Sequence, residues 1–407
     1  MTKSVRGTRD IFGKDAEKFR FVEEVCRKTV QKYGFREIIL PTFEEISLYV
    51  RSVGDTTDIV EKQMYEFEDK KGRKLVLRPE GTAGVVRAFI EHNLKDVFAL
   101  KRFFYYGSMF RYERPQKGRY REFYQFGMEI FNEGGPAGDV FLIKCICEII
   151  NFLSIKNRLY INSVGCDVCR KKYREYLVEI LRNMELCEDC VARLDRNPLR
   201  VLDCKIDSHK VDNIKGMTEF LCDSCGKEYS EIRKFLSSEK IDFVEDKLLV
   251  RGLDYYTGFV FEFKGVELDA AQSTICAGGR YNNLVKSLGG EDVVSCGAAF
   301  GIDRIVGMLN EGLIKNKKVR VGISVVSDEY LSVAFKIFDS LENKEFVLLG
   351  PFSGKSLKSQ LRIFNNEGCN YAIIVGEECA NGEVVVKNLK ENVQKILKIE
   401  EVIKELV

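Results

Sequence analysis

The stretch 110–131, FRYERPQKGRYREFYQFGMEIF, sets Arg111, Arg114, Lys117, Arg119 and Arg121 on two β-patterned segments joined by a short loop containing Pro115 and Gly118. Alternation along the return arm puts Arg119, Arg121, Phe123, Gln125, Gly127 and Glu129 on one face, so cations, an aromatic ring, an amide and a carboxylate line a single wall. Such a wall suits a nucleotide beside a small amine. A basic hairpin by itself is commonly a solvated edge, but three further segments supply complementary groups. RPEGTAG (78–84) offers Glu80 and Thr82, LVRGLDYYTGFVFEF (249–263) offers Arg251, Asp254, Tyr255 and Tyr256, and CGAAFGIDRIVGML (296–309) offers Arg304. Phosphoryl or nucleotidyl transfer asks for this mixture. Its transition state is mostly spread negative charge, so guanidinium forks and Mg²⁺ stabilise it while carboxylates hold the metal and a cationic co-substrate.

Periodicity predicts the elements that must position these groups. Ala16 to Tyr33 carries Phe19, Val22, Val25, Cys26 and Val30 at helical spacing, ends at Gly34, and leads into a strand, FREIILP, ending at Pro41. From Lys74 to Glu129 the pattern is mainly strand, with a helix at 83–92. Val140 to Ile155 reads as a core helix whose Lys144, Glu148 and Asn151 form one polar stripe, which argues against a membrane span. Between 164 and 240 the texture changes to charged helices studded with cysteine, an inserted domain. Strand character returns at LLVRGLDYY, FVFEF and VVSCGAAFG, and a helix begins near Ile302. Past the lysine-rich joint 315–318, strands (VRVGISVV, FVLL, YAIIVG, GEVVVK) alternate with helices (328–341, 356–366 and a terminal one), a compact α/β domain.

Composition narrows the class. The 407 residues are 45% hydrophobic, enough for two or three domains with cores, and the net charge is only +2 although 31% of residues are charged, so any nucleic-acid surface has to come from local sorting of charge. The N-terminal segment has no apolar run, which predicts a cytoplasmic protein rather than a secreted one. With only two histidines, His92 and His209, a serine–histidine–acid triad or a multi-histidine metal centre has little to draw on.

Two motifs mislead. GPFSGKS at 350–356 has one residue too few between its glycines for a phosphate-binding loop, so a strand-to-helix turn is the better reading. The cysteine pairs 166/169, 187/190 and 222/225, with Cys204 between, contain enough thiols for a tetrahedral site. Three pairs and a single cysteine leave the pairing open. Thiols packed between helices are the preferred reading, and no metal ligands are assigned.

In order and wording these segments resemble the class II aminoacyl-tRNA synthetases and, among them, the bacterial-type histidyl-tRNA synthetases. The helix–strand ending at Pro41 resembles motif 1, the arginine hairpin motif 2 and GAAFGIDR motif 3, while RGLDYYTG and AGGRYNNLV resemble the two histidine-specific peptides. The likeness runs from RGTRDIF at Arg6 to VKNLK near Lys390. It implies an α+β catalytic domain, an antiparallel sheet flanked by helices, over 1–318, with a helical insertion at about 166–240, followed by a C-terminal α/β anticodon-binding domain over 319–407. It implies a cytoplasmic homodimer that uses ATP, Mg²⁺, L-histidine and tRNA(His). By the same likeness Arg111 and Arg251 flank the reacting α-phosphate, and Glu113, Arg119, Phe123 and Arg304 bind the rest of ATP. Glu80, Thr82 and Gln125 receive the histidine α-ammonium, and Glu129, Tyr255, Tyr256 and Tyr281 surround the imidazole. Two departures stand out: Tyr124 occupies a position where relatives often have histidine, and the insertion is short near 205–216. The alternative reading is a synthetase-like regulatory subunit of ATP phosphoribosyltransferase, which typically lacks the anticodon-binding tail.

Overall fold

The computed structural model describes residues 2–54, 57–116, 118–204, 206–266, 273–314, 318–342 and 346–406. Lys117, Lys205 and the joint residues 315–317 fall outside the described residues. Two compact units, Met1–Ile314 and Lys315–Val407, divide the chain.

In the first unit the helix Gly13–Lys32 buries Phe19, Val22, Cys26 and Val30 along the stripe the sequence predicts and stops where Gly34 takes a φ of +80°, open to a residue without Cβ. The expected strand is much shorter than FREIILP. β1 is only Arg36–Glu37, and after the Ile38 N–H reaches Phe104 O the chain leaves the sheet, with Ile39 86% exposed. Then β2 (Phe43–Glu45), β3 (Tyr65–Glu68) and β4 (Lys74–Leu77) form a small antiparallel sheet in the order β2-β4-β3. The helix Thr82–Glu91 follows, and β5 (Arg102–Phe110) pairs with β6 (Glu122–Phe131) over their whole length.

The helix Pro136–Phe152 seals one face of this hairpin with Leu142, Ile143, Ile146, Ile149 and Ile150, while Lys144 and Asn151 of its polar stripe face solvent. β7 (Asn157–Ser163), β8 (Phe243–Glu245), β9 (Phe259–Gly265), β10 (Thr274–Arg280) and β11 (Ser295–Gly301) complete an eight-stranded sheet of order β1-β5-β6-β11-β10-β9-β7-β8. Its six internal strands pair antiparallel; only the end pairs β1·β5 and β7·β8 are parallel. The central sheet with its flanking helices is thus the layered arrangement the sequence implies.

The cysteine-rich insertion has a separate small core built on Tyr173, Leu177, Leu181, Leu194, Val201 and Val211. Its last helix, Asp223–Ser238, departs from that cluster: Tyr229, Ile232 and Leu236 pack into the main core. LLVRGLDYY is not a strand. Residues 247–256 are turn and loop because side chains satisfy their carbonyls: Asn162 Nδ2 donates to Lys247 O and Leu249 O, and Arg200 donates to Arg251 O.

The second unit is a sheet of order β13-β12-β14-β15-β16, from β12 (Val319–Val325), β13 (Phe346–Leu349), β14 (Tyr371–Val375), β15 (Glu383–Asn388) and β16 (Val393–Lys398), with the helices Leu331–Glu342, Leu357–Asn366 and Val402–Leu406. The sequence does not signal β16, an edge strand nearly all of whose residues are exposed. At GPFSGKS the Ser353 hydroxyl and Gly354 N–H both donate to the Asp328 carboxylate, so the turn closes on the chain's own anion.

Candidate active site

Glycines shape the floor of the site. Tyr105 on β5 stands opposite Gly127 on β6, and a Cβ at Gly127 would lie 2.1 Å from the Tyr105 ring, with one at Gly81 2.3 Å away. The aromatic ring therefore crosses the sheet face only because both neighbours are bare. Gly297 on β11 likewise faces Glu129 across the ladder, where a Cβ would sit 1.8 Å from Oε2. These three positions open space for the groups the chemistry needs.

Above this floor lies a cleft lined by Glu80, Thr82, Arg111, Glu113, Arg119, Phe123, Gln125, Arg251, Tyr255, Tyr256 and Arg304, so segments far apart in the chain converge. Tyr105, Thr274 and Asp303 also line it. Glu129 and Tyr281, expected in the site from the sequence, do not line the cleft; both are buried, and Glu129 meets it through Thr82. The Thr82 hydroxyl donates to Glu129 Oε1 at 2.7 Å and the Tyr281 hydroxyl donates to Oε2. Burial pushes the Glu129 carboxyl up to about 8, against the two hydroxyl donors that favour its charge, and the nearby Glu80 raises it further. Glu80, also buried, accepts from the N–H groups of Thr82 at 2.7 Å and Ala83 at 2.9 Å at the start of the helix Thr82–Glu91. Burial raises it too, with those amides opposing.

The arginines form the other wall. Arg111 donates from Nε to Pro79 O at 2.9 Å and lies over the Phe123 ring, 5.3 Å from its centroid. Arg119 pairs with Glu113 at 2.8 Å, and Arg304 donates to Thr274 O at 2.6 Å. Burial lowers the affinity of Arg304 for its proton, and the charges of Arg119 and Arg111 lower it further, with Glu113 opposing. Mutually repelling guanidinium groups in one cleft are a seat for a polyanion. Arg251 sits across from them, bonded to Glu262 at 2.9 Å. Its Nε–H, the Gln125 carbonyl oxygen and the Tyr105 hydroxyl are buried without a hydrogen-bond partner among the described residues. Orphaned polar atoms clustered on one cavity mark where a polar ligand completes the bonding.

Not every cation of the hairpin joins them. Arg114 is exposed, and Arg121 turns outward to stack on Tyr112 and donate to Glu113 O, bracing the loop. Asp254 also turns away, held by Asn197 at 3.0 Å and Arg200 at 2.7 Å. Tyr124, the departure noted above, packs its ring on Phe19 and Tyr106, and its N–H donates to Asp303 Oδ2, tying the hairpin to the first helix and to the segment that carries Arg304. Four contributors escape the sequence reading: Tyr105, Glu262, Thr274 and Asp303. A period-two signal was present for Tyr105, since it stands in register with Gly127, but the pairing itself is tertiary information.

Arg200 reaches from the insertion to brace the loop bearing Arg251 through both Arg251 O and Asp254. Arg200→Ala is expected to lower turnover at this cleft about tenfold to a hundredfold through misplacement of Arg251. The Tm should fall, because Arg200 is buried with partners on Arg251 O and Asp254, while the substrate KM stays near wild type; kinetics below the melting range check this, and an unchanged kcat removes the positioning role.

Comparison with known proteins agrees with this geometry. The family model described as histidyl-tRNA synthetase matches residues 7–213 and 215–305, and an anticodon binding domain matches 320–407. The histidine–tRNA ligase of Aquifex aeolicus is 45% identical over 405 residues, covering 98% of this chain and 99% of that protein; the one from Campylobacter hominis is 42% identical, with both chains covered completely. The crystal structure of S. aureus histidyl-tRNA synthetase superimposes with a TM-score of 0.83 at 31% identity, covering all of both chains. With its catalytic and anticodon-binding parts both matched along their length, the chain belongs to the histidyl-tRNA synthetase family.

Proposed function

We infer that this chain is a histidine–tRNA ligase, which activates histidine with ATP and transfers the histidyl group to the 3′-terminal ribose of tRNA(His). The observation that carries this is the gathering of Arg111, Arg119, Arg251 and Arg304 in one cleft with Thr82, whose hydroxyl bonds the buried Glu129 behind it, in a chain that matches such ligases end to end.

In the first step a histidine carboxylate oxygen attacks the α-phosphorus of ATP and pyrophosphate leaves. Arg111 and Arg251 approach the α-phosphate from opposite walls and neutralise the charge that grows on its oxygens. Arg119 and Arg304 hold the γ-phosphate end, and Phe123 supports the adenine. Glu80, Thr82 and Gln125 take the α-ammonium. Glu129 accepts from one imidazole nitrogen, and Tyr255 and Tyr256 close around the ring, so a side chain without a donor there forgoes that hydrogen bond. Glu113, on the same wall as Arg111 and Arg119, offers the oxygen ligand that would hold Mg²⁺, whose charge would offset that of the phosphates. In the second step a ribose hydroxyl of the tRNA attacks the histidyl carbonyl and AMP departs. A neighbouring cleft that carries Arg170, Lys171, Arg174 and Arg196 supports docking of the acceptor end.

The homodimer is read from the motif 1 region. Ile39 is almost fully exposed, and Phe43 and Phe67, both exposed, pack edge to face 6.0 Å apart, apolar surface suited to a second copy. None of the described helices is long and apolar enough to cross a membrane.

Histidine-dependent ATP–pyrophosphate exchange tests the reading. Exchange is expected with histidine and with no other amino acid; absence of exchange with every amino acid would overturn it and favour a regulatory protein.

A further inference from the structure

All seven insertion cysteines fall into two groups. Cys166, Cys169, Cys222 and Cys225 form one; Cys187, Cys190 and Cys204 form the other with Asp207. Within each group the sulfur and carboxylate ligand atoms lie within 4.8 Å of one another, and among the described residues these are the groups of this kind. The shortest separations are 3.5 Å for Cys166–Cys169, 4.0 Å for Cys166–Cys222 and 3.9 Å for Cys187–Cys204. Four thiolates around zinc at about 2.3 Å stand about 3.8 Å apart, so the observed spacing is that of ligands around a central ion. A disulfide would need about 2.05 Å, and three thiols with a carboxylate leave an odd sulfur that disulfide pairing cannot use.

Packing alone accounts poorly for the arrangement. Cysteines that serve as core filler in this chain, such as Cys26, Cys276 and Cys296, are buried among aliphatic and aromatic side chains of the main core. The insertion cysteines also border the apolar cluster of the insertion, but they gather in two tight groups where chain segments meet. Cys166 and Cys222 precede the helices Asp167–Leu181 and Asp223–Ser238, and Cys187 precedes Glu188–Leu194. Asp207 is fully buried, its Oδ2 accepting from Cys187 N–H and its Oδ1 2.9 Å from the Lys210 ammonium. The Cys187 N–H and Lys210 account for its charge but not for its place among three sulfurs. As a metal ligand it completes a four-atom set, and Lys210 offsets the net negative charge of three thiolates, a carboxylate and a divalent cation. Between these groups the insertion is made largely of one-turn helices, Pro198–Val201, Ser208–Val211 and Met217–Phe220, a segment with little regular structure to hold it together.

We propose that the insertion binds two structural zinc ions, one in the four-cysteine group and one in the Cys187, Cys190, Cys204, Asp207 group. The first joins the starts of two long helices. The second fixes the segment that follows Arg200, and so the arginine that braces the Arg251 loop. Neither ion touches substrate. Each thiol gives up its proton on binding, so loading releases protons and is reversed by acid.

The test is metal analysis of full-length, untagged enzyme purified under reducing conditions without chelator. About two zinc equivalents per chain are expected. Cys222→Ser and Cys204→Ser are each expected to lose about one of them while the other stays. Exchange with cobalt supplies a readout independent of activity and of any variant's folding: a sulfur-to-cobalt charge-transfer band with the visible bands of a tetrahedral ion. Under about a tenth of an equivalent of zinc with no cobalt band overturns the proposal, as does peptide mapping that finds these cysteines joined as disulfides. A single equivalent, lost in Cys222→Ser and kept in Cys204→Ser, overturns the mixed site and upholds the other.

Discussion

Arg251→Ala is expected to reduce histidine-dependent pyrophosphate exchange by about a thousandfold, the scale seen when a pre-placed donor to a developing negative charge is removed. Arg251 is held for this role. Glu262 fixes one Nη at 2.9 Å, the Arg200 guanidinium pins its backbone carbonyl, and the Nε–H has no partner among the described residues. Burial works against its charge, but the Glu262 carboxylate over-compensates, so Arg251 enters the reaction as a cation. The substitution leaves Glu262 with a partner, Lys264 at 3.5 Å, and should cost the fold little. Equilibrium urea unfolding of the variant, run beside the exchange assay, separates the outcomes: loss of the folded state would make Arg251 a structural residue.

Glu129→Gln carries the second large effect, a fall of about a hundredfold or more in kcat/KM for histidine, with a pH signature. Because the Glu129 carboxyl titrates at about 8, the unliganded protein holds it largely protonated at neutral pH. The imidazole N–H gains a charged acceptor only as that proton leaves, so histidine binding should strengthen as pH rises through 8 and should release a proton at pH 7. Calorimetry in buffers of different ionisation enthalpy measures that release, and the glutamine variant should show none from this position. The stability sign is opposite: a carboxyl raised in the fold contributes stability that is full below its ordinary 4.5 and lost as pH rises through about 8. Glu129→Gln should therefore flatten the wild-type decline in stability between about pH 4.5 and 8. A KM for histidine that does not vary with pH across this range would refute the role given to Glu129.

Much of the site could be read before folding because alternation is a local rule. Phe123, Gln125 and Glu129 share a face as strand periodicity requires, and Arg304 lies just inside the helix Ile302–Met308. What escaped depends on contacts between distant segments. Tyr105 matters because bare positions 81 and 127 let its ring through, RGLDYY abandons strand geometry because Arg200 arrives from some fifty residues upstream to hold a carbonyl, and the cysteine pairs sort themselves only when two helix starts meet. The helix Asp223–Ser238 shows the same limit. Its charged, cysteine-headed sequence matches the insertion, whereas its buried Tyr229, Ile232 and Leu236 belong to the main core.

The Arg119–Glu113 pair gives the empty cleft a resident anion. An incoming nucleotide competes with an internal carboxylate for the guanidinium that awaits its far phosphate. Under the proposed assignment of Arg119 to the γ-phosphate, a nucleotide too short to span to it gains nothing from that contest, so AMP is expected to bind more weakly than ATP.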